Sequence, residues 1–227
     1  MWNVIKRLQA RSFLDVSSPR LLPLMALGLK PGLRADLINP DKKDLPATVT
    51  MAKYFGVADR CTFHSNLIQE AVLKPNSFDL ITSMSVIEHI SDDKEAVSKM
   101  WSLLKPGGTL LISVPCAAKA SAEYTNLNDY ELINPDDNGF VFWQRYYDEE
   151  LIRQNIFSIT GIPTHLKIYA EKKAGTYHLN VMQKRSDPFY PYWQEPFMMG
   201  RLYQCSGHLS DLPGMGVIAM EFIKPAE

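Results

Sequence analysis

Two apolar runs, Phe78-Asp79-Leu80-Ile81-Thr82-Ser83-Met84 and Thr109-Leu110-Leu111-Ile112-Ser113-Val114, constrain the fold more than any other feature of the chain. Each has the length and near-continuous apolarity of a strand buried on both faces. Between them come a loop (Ser85 to Ile90), a helical pattern (Lys94 to Leu104) and the turn Lys105-Pro106-Gly107-Gly108, which needs a positive φ that glycine supplies. Strand, loop, helix, tight turn and strand make one right-handed crossover of a parallel sheet.

The same alternation extends along the chain. Strand-length runs recur at Ser12 to Val16, Leu33 to Ile38, Arg60 to His64, Thr164 to Ala170 and Gly216 to Ile223. Helical patterns lie at Arg20 to Leu29, Pro46 to Phe55 and Asp148 to Asn155. Alternating strands and helices imply an α/β protein with a parallel sheet covered on both faces. Asp92 or Asp93 is placed to cap the helix near Lys94, and the acids of Asp148-Glu149-Glu150 sit at a positive helix end. No helical pattern separates the last two strands. The segments 116–146 and 172–214 fit the sheet less well and are expected to be loops or a lid on the substrate side, since long loops in compact domains are usually functional or mobile.

At 227 residues and 46% apolar content the chain is expected to form one domain, 1–227, with a short amphipathic helix in residues 1–11. A formal charge of −1 gives no general reason to bind polyanions, so no nucleic acid is expected. Cys61, Cys116 and Cys205 form no Cys-x-x-Cys pair, which suggests neither a disulfide framework nor a zinc site and points to a reducing cytoplasm. Met1 to Ala10 is interrupted by Lys6 and Arg7, unlike a signal peptide, and no run reaches membrane-spanning length.

In order and content, Phe78 to Ile90 followed by Leu104 to Pro115 resembles the middle of class I S-adenosylmethionine-dependent methyltransferases, especially the small-molecule group often called type 11. The resemblance covers roughly Ser12 to Lys224. It implies a Rossmann-like, doubly wound, seven-stranded, mostly parallel sheet with an antiparallel last strand, and S-adenosyl-L-methionine as cofactor. It places the cofactor beyond the carboxyl ends of the first strands. There Asp15, Ser17 and Ser18 stand where the family has an acid and a glycine-rich turn. Ser17 and Pro19 replace glycines, and proline forbids a positive φ and donates no N–H. The segment reads either as a variant cofactor loop or as a plain helix N-terminus. For the ribose hydroxyls the second strand offers Asp36, with Leu37 beside it and Asp41 as second choice; family spacing leaves the register open by about one residue. Asn66 and Leu67 are expected near the adenine, and Ser83, Met84 and Ser85 under the transferred methyl.

For catalysis His89 is the expected general base, with Glu88 beside it, because a hydroxyl or protonated amine acceptor must lose a proton. The Glu-His step also occurs in relatives with other acceptors, so it equally suits a loop-fixing role. No metal is expected, since Ser85 stands where metal-dependent relatives carry a further Glu. The aromatic segment including Tyr124, Tyr130, Phe140 and Phe142 borders the acceptor site in relatives. Trp143, Arg145 and Tyr146 are the expected substrate-binding residues, with Arg145 suited to a carboxylate or phosphate. Packing at a loop-to-helix junction is the other reading of Tyr146.

The expected function is methyl transfer to a small-molecule, glycan or metabolite acceptor. Because the chain begins almost at its first strand, the site is expected to be open unless the two long segments close it or a second subunit of a homodimer completes it. The alternative is a methyltransferase-like binding or assembly module without turnover. A nicotinamide oxidoreductase would need a Gly-x-Gly-x-x-Gly turn after the first strand, which the sequence lacks.

Overall fold

A computed structural model of the protein describes residues 1–128, 133–184, 187–191 and 194–226. Among the described residues ten strands are present: β1 (Ser12–Val16), β2 (Arg34–Ile38), β3 (Cys61–His64), β4 (Phe78–Met84), β5 (Leu104–Cys116), β6 (Ser121–Thr125), β7 (Val141–Tyr146), β8 (His165–Glu171), β9 (Tyr203–Ser206) and β10 (Gly216–Ile223). Eight of them form one sheet in the order β3-β2-β1-β4-β5-β10-β8-β9. The pairs from β3 to β5 are parallel. β10 inserts antiparallel between β5 and β8. The expected seven-stranded arrangement is therefore present, extended by one short antiparallel edge strand, β9, beside β8.

The helices are α1 (Trp2–Arg7), α2 (Leu21–Leu29), α3 (Asp44–Tyr54), α4 (Asp93–Leu103), α5 (Glu149–Ile152), α6 (Ser158–Thr160), α7 (Thr176–Asn180) and α8 (Glu195–Leu202). A π-helical turn, Arg153–Phe157, joins α5 to α6. Asp92 caps α4 by accepting from the Glu95 N–H at 3.0 Å, and Asp148 caps α5 through Leu151.

Alternation along the central strands sends side chains to two cores, one on each face. Leu14, Ile81, Leu110 and Ile112 join the α4 and α5 side. Phe13, Leu80 and Leu111 join the α1, α2 and α3 side. At the β5 entrance Gly107 has φ +74°, and a Cβ on Gly108 would lie 2.8 Å from the Lys105 carbonyl oxygen. The first glycine thus serves the turn and the second a close approach.

Two expectations are corrected. Within 116–146, β6 and β7 pair as an antiparallel hairpin and make a separate two-stranded sheet. The interval between the last two core strands contains α7, α8 and β9, elements of four to eight residues. Tyr130, Tyr192 and Trp193 lie outside the described residues. Among the described residues no helix is long and apolar enough to cross a membrane.

Candidate active site

Parallel strands end their carboxyl tips in loops that splay apart where strand order reverses, here between β1 and β4. A cleft of about 770 Å³ opens there, lined by the loops after β1, β2, β3 and β4 and by the β6–β7 hairpin. This volume falls within the ~300–1,000 Å³ of clefts that engulf a small organic ligand.

The turn after β1 forms the floor. Ser17 has φ +51°, so the left-handed conformation that the sequence denies to Pro19 is taken two residues earlier by a non-glycine residue. That conformation costs roughly 1–2 kcal/mol. Cross-links to both neighbouring strands offset it. The Ser17 N–H and hydroxyl donate to the Ile38 carbonyl on β2 at 2.9 and 3.0 Å. The Ser18 hydroxyl accepts from the Met84 N–H on β4 at 3.1 Å. Asp15 is buried beneath this turn, where its carboxylate accepts from the Ser18 N–H and the Thr82 hydroxyl. Burial raises its pKa to about 6, against the pull of those hydrogen bonds. Ser17 and Ser18 line the main cleft, whereas Asp15 borders only a small hollow behind it.

The register of β2 settles which acid reaches the cleft. Asp36 lies mid-strand, two residues before the tip, and pairs with His64 Nε2 on β3 at 2.7 Å. It does not line the cleft, and Leu37 is buried in the α2 and α3 core. The tip itself presents Ile38, Asn39, Pro40 and Asp41. Asn39 accepts from the Asp41 N–H and donates to Asp44, which also receives the Arg20 guanidinium.

After β3, Leu67, Ile68 and Gln69 line the cleft, while Asn66 turns to its neighbour's carbonyl. The Gln69 side-chain oxygen is buried without a hydrogen-bond partner. After β4, Ser83 and Met84 are buried behind the wall, and Ser85, at φ +55°, and Val86 form its surface.

His89 stands on the opposite wall, in the short turn Ile87–His89. Its Nδ1 lies 2.8 Å from the carbonyl oxygen of Trp143, and the two rings meet edge to face at 5.2 Å. A carbonyl only accepts, so Nδ1 carries the proton and Nε2 holds the lone pair in the neutral ring. Burial lowers the His89 pKa below its ordinary value, outweighing the Trp143 contact. Glu88 points the other way. It is 2% exposed, has one carboxyl oxygen without a partner, and is pushed by burial up to about 8.

Trp143 lines the cleft; Arg145 and Tyr146 do not. The Arg145 guanidinium donates to Asp93 and to the carbonyls of Ile90 and Ser91, all at 2.7–2.8 Å. Asp93 is in turn held by the Tyr147 hydroxyl and the Asn155 amide. Tyr146 is buried and its hydroxyl accepts from Gln144. The resemblance placed both against an acceptor, whereas the two terminal guanidinium nitrogens of Arg145 and the Tyr146 hydroxyl are engaged within the protein, and the Arg145 Nε is buried without a hydrogen-bond partner. Leu127, Asn128, Ile133 and Val141 reach the cleft only because the hairpin folds back over the sheet, for which no local sequence signal exists beyond the alternation at Val141 to Trp143.

This cleft, at the switch point of a seven-stranded sheet with an antiparallel strand inserted next to last, defines a Rossmann-like methyltransferase fold. Residues 36–112, about a third of the chain, match a family model described as a methyltransferase domain. A ubiquinone biosynthesis O-methyltransferase of Xanthomonas campestris pv. campestris is 46% identical over 43 residues, 19% of this chain and 18% of that protein. The match thus spans under one fifth of the relative's length. Among solved structures, a sarcosine dimethylglycine methyltransferase from Galdieria sulphuraria, itself described as putative, superposes with TM-score 0.62 at 16% identity, over 99% of this chain and 82% of that one. The [4+2]-cyclase SpnF superposes with TM-score 0.60 at 14% identity, over 100% and 81%. The family match begins after the Asp15 turn and ends before the hairpin, so the cleft's floor and roof lie outside it.

Proposed function

We propose that the protein binds S-adenosylmethionine in this cleft and transfers its methyl group to a small-molecule acceptor, with His89 accepting the acceptor's proton. One observation carries the reading: a single cleft combines a wall suited to a nucleoside with a facing imidazole that is neutral and has its lone pair on Nε2. The nucleoside wall consists of the Gln69 oxygen, an orphan acceptor suited to an exocyclic amine, the apolar Leu67 and Ile68, and the Asp41 carboxylate for vicinal hydroxyls. Asp41 takes the ribose role here in place of Asp36. The turn at Ser17 and Ser18 brings backbone close to the ligand, as the family's glycines do.

When bound, the cofactor supplies a methyl group already activated on a sulfonium. The residues therefore need only orient the acceptor, shield it from water and take a proton where the acceptor carries one. The O-methyltransferase name of the Xanthomonas relative favours an oxygen acceptor. A second reading, a binding module without turnover, draws support from Pro19, which removes one N–H from the floor, and from the fold's likeness to a protein named for cyclisation.

Calorimetric titration with S-adenosylmethionine and S-adenosylhomocysteine separates the two. Micromolar binding, weakened by roughly 1–3 kcal/mol in Asp41→Asn and unchanged in Asp36→Asn, is the expected result. Absence of binding at millimolar cofactor removes the enzyme reading. Equal loss in both variants removes the assignment of Asp41.

A further inference from the structure

On the methyl-transfer reading, a nucleoside with a polar tail crosses the strand tips in the order in which they stand in the sheet, β3, β2, β1. Leu67 and Gln69 after β3 take its base and Asp41 after β2 its ribose, which leaves the turn after β1 for the tail. The tail of S-adenosylmethionine ends in an ammonium and a carboxylate, and a carboxylate drawn out of water needs donors. Residues 17–19 of this turn have none to give. The Ser17 N–H goes to the Ile38 carbonyl, the Ser18 N–H goes to Asp15, and Pro19 has no N–H. The hydroxyls are spent as well, that of Ser17 on Ile38 and that of Ser18 on the Met84 N–H and Asp15.

Arg20 comes next in the chain and lines the cleft. It carries the one ammonium or guanidinium among the described lining residues, and the sequence at 129–132, Asp-Tyr-Glu-Leu, contains no cation. Its Nε donates to one oxygen of Asp44 at 2.6 Å, and Nη2 stands 2.5 Å from the same oxygen. The other oxygen of Asp44 accepts from the Asn39 amide at 2.6 Å. One edge of the guanidinium is thus fixed, while Nη1 has no partner among the described residues. A guanidinium has five N–H groups, so the end formed by Nη1 and Nη2 keeps the fork that matches a second carboxylate. The Arg20 side chain is 45% exposed, which leaves that end open to a ligand.

We propose that Arg20 holds the α-carboxylate of the cofactor's amino-acid tail through the open end of its guanidinium, in place of the backbone donors of the turn, with Asp44 and Asn39 positioning it. This rests on the methyl-transfer reading of the same cleft and adds the residue that distinguishes the whole cofactor from its nucleoside. The ion pair with Asp44 is kept when the carboxylate arrives, because the two carboxylates use different edges of one planar group.

The test is calorimetric titration of the full chain with three ligands. They are S-adenosylhomocysteine, its decarboxylated analogue, which keeps the amine and lacks the carboxylate, and 5′-methylthioadenosine, which lacks the whole tail. The parent is expected to bind S-adenosylhomocysteine at least about tenfold tighter than either of the others. Arg20→Gln is expected to weaken S-adenosylhomocysteine by about ten- to a hundredfold and to leave the other two within about twofold, closing the gap. Arg20→Lys keeps the charge, loses the fork and is expected to fall between. A parent that binds the decarboxylated analogue as tightly as S-adenosylhomocysteine overturns the assignment and leaves the methyl-transfer reading standing. So does an Arg20→Gln variant that weakens all three ligands alike or none of them. Failure of S-adenosylhomocysteine to bind the parent overturns both.

Discussion

Glu88 and His89 are neighbours in sequence and opposites in environment. His89 faces the cleft with its tautomer fixed by the Trp143 carbonyl, so its usefulness as a base depends on remaining neutral. A base acts above its pKa, and burial has moved that of His89 below the ordinary 6.5. The rate is therefore expected to stay flat from pH 8 down through 7 and to fall only below about pH 6.5. Replacement by Asn is expected to lower kcat by roughly 10²–10⁴-fold and to abolish that acid limb, with S-adenosylhomocysteine affinity preserved. A kcat profile unchanged in the variant would remove His89 from proton transfer.

Glu88 makes its prediction through stability instead. Its carboxyl is raised from 4.5 to about 8 in the folded protein. The stability tied to the protonated form is full below pH 4.5 and is lost as the pH rises toward 8. Removing the ionisable group should remove that slope. Glu88→Gln is expected to unfold at nearly the same denaturant concentration at pH 5 and to gain on the order of 3 kcal/mol over the parent at pH 8. Equal stability of the two proteins at pH 8 would show that the carboxylate is accommodated in its ionised form.

At the scale of elements, the turn carrying His89 is held by a clamp assembled from three directions. Arg145 comes from β7, Asp93 from the first turn of α4 and Asn155 from the π-helical turn, its amide donating to both carboxylate oxygens. Under the proposed methyl transfer Arg145 acts as a positioning residue: it reaches the loop at Ile90 and Ser91 and does not line the cleft. Lysine cannot reproduce a guanidinium's planar, forked donation to three partners. Arg145→Lys is expected to lower kcat by about ten- to a hundredfold and to move the acid limb upward as the loosened imidazole becomes better hydrated. A purely structural role would lower the melting temperature and leave the limb in place. Loss of the pairing with Asp93, which is 3% exposed, is expected to cost about 3–5 kcal/mol.

For the whole molecule, the order of strands and helices was legible because burial on both faces writes long apolar runs, as at Phe78 to Met84 and Leu110 to Val114. The runs at Ser12 to Val16, Phe78 to Met84 and Gly216 to Ile223 coincide with β1, β4 and β10 to the residue. β9 was not legible, because Tyr203-Gln204-Cys205-Ser206 is a half-exposed edge strand with no apolar alternation to betray it. The lining of the cleft was legible to the nearest loop and no further. Whether Asp36 or Asp41 lines the cleft depends on where β2 stops, and a shift of a residue or two in a strand exchanges wall for interior. Arg145 and Tyr146 lie on an aromatic stretch whose composition suits a pocket and a core equally, and only the fold decides between them.

The hairpin that roofs the cleft leaves the sheet at Ala117 and returns at Tyr147, and those two residues are stitched together by the Ala117 N–H donating to the Tyr147 carbonyl at 3.0 Å. Tyr147 also donates from its own N–H to Pro115 at 3.1 Å. Departure and return are thus a single pinched point on the scaffold. An excursion attached in this way can vary where it makes no contact with the eight-stranded platform, whereas β7 is bound to that platform through the Trp143 carbonyl and the Arg145 guanidinium and varies only together with it.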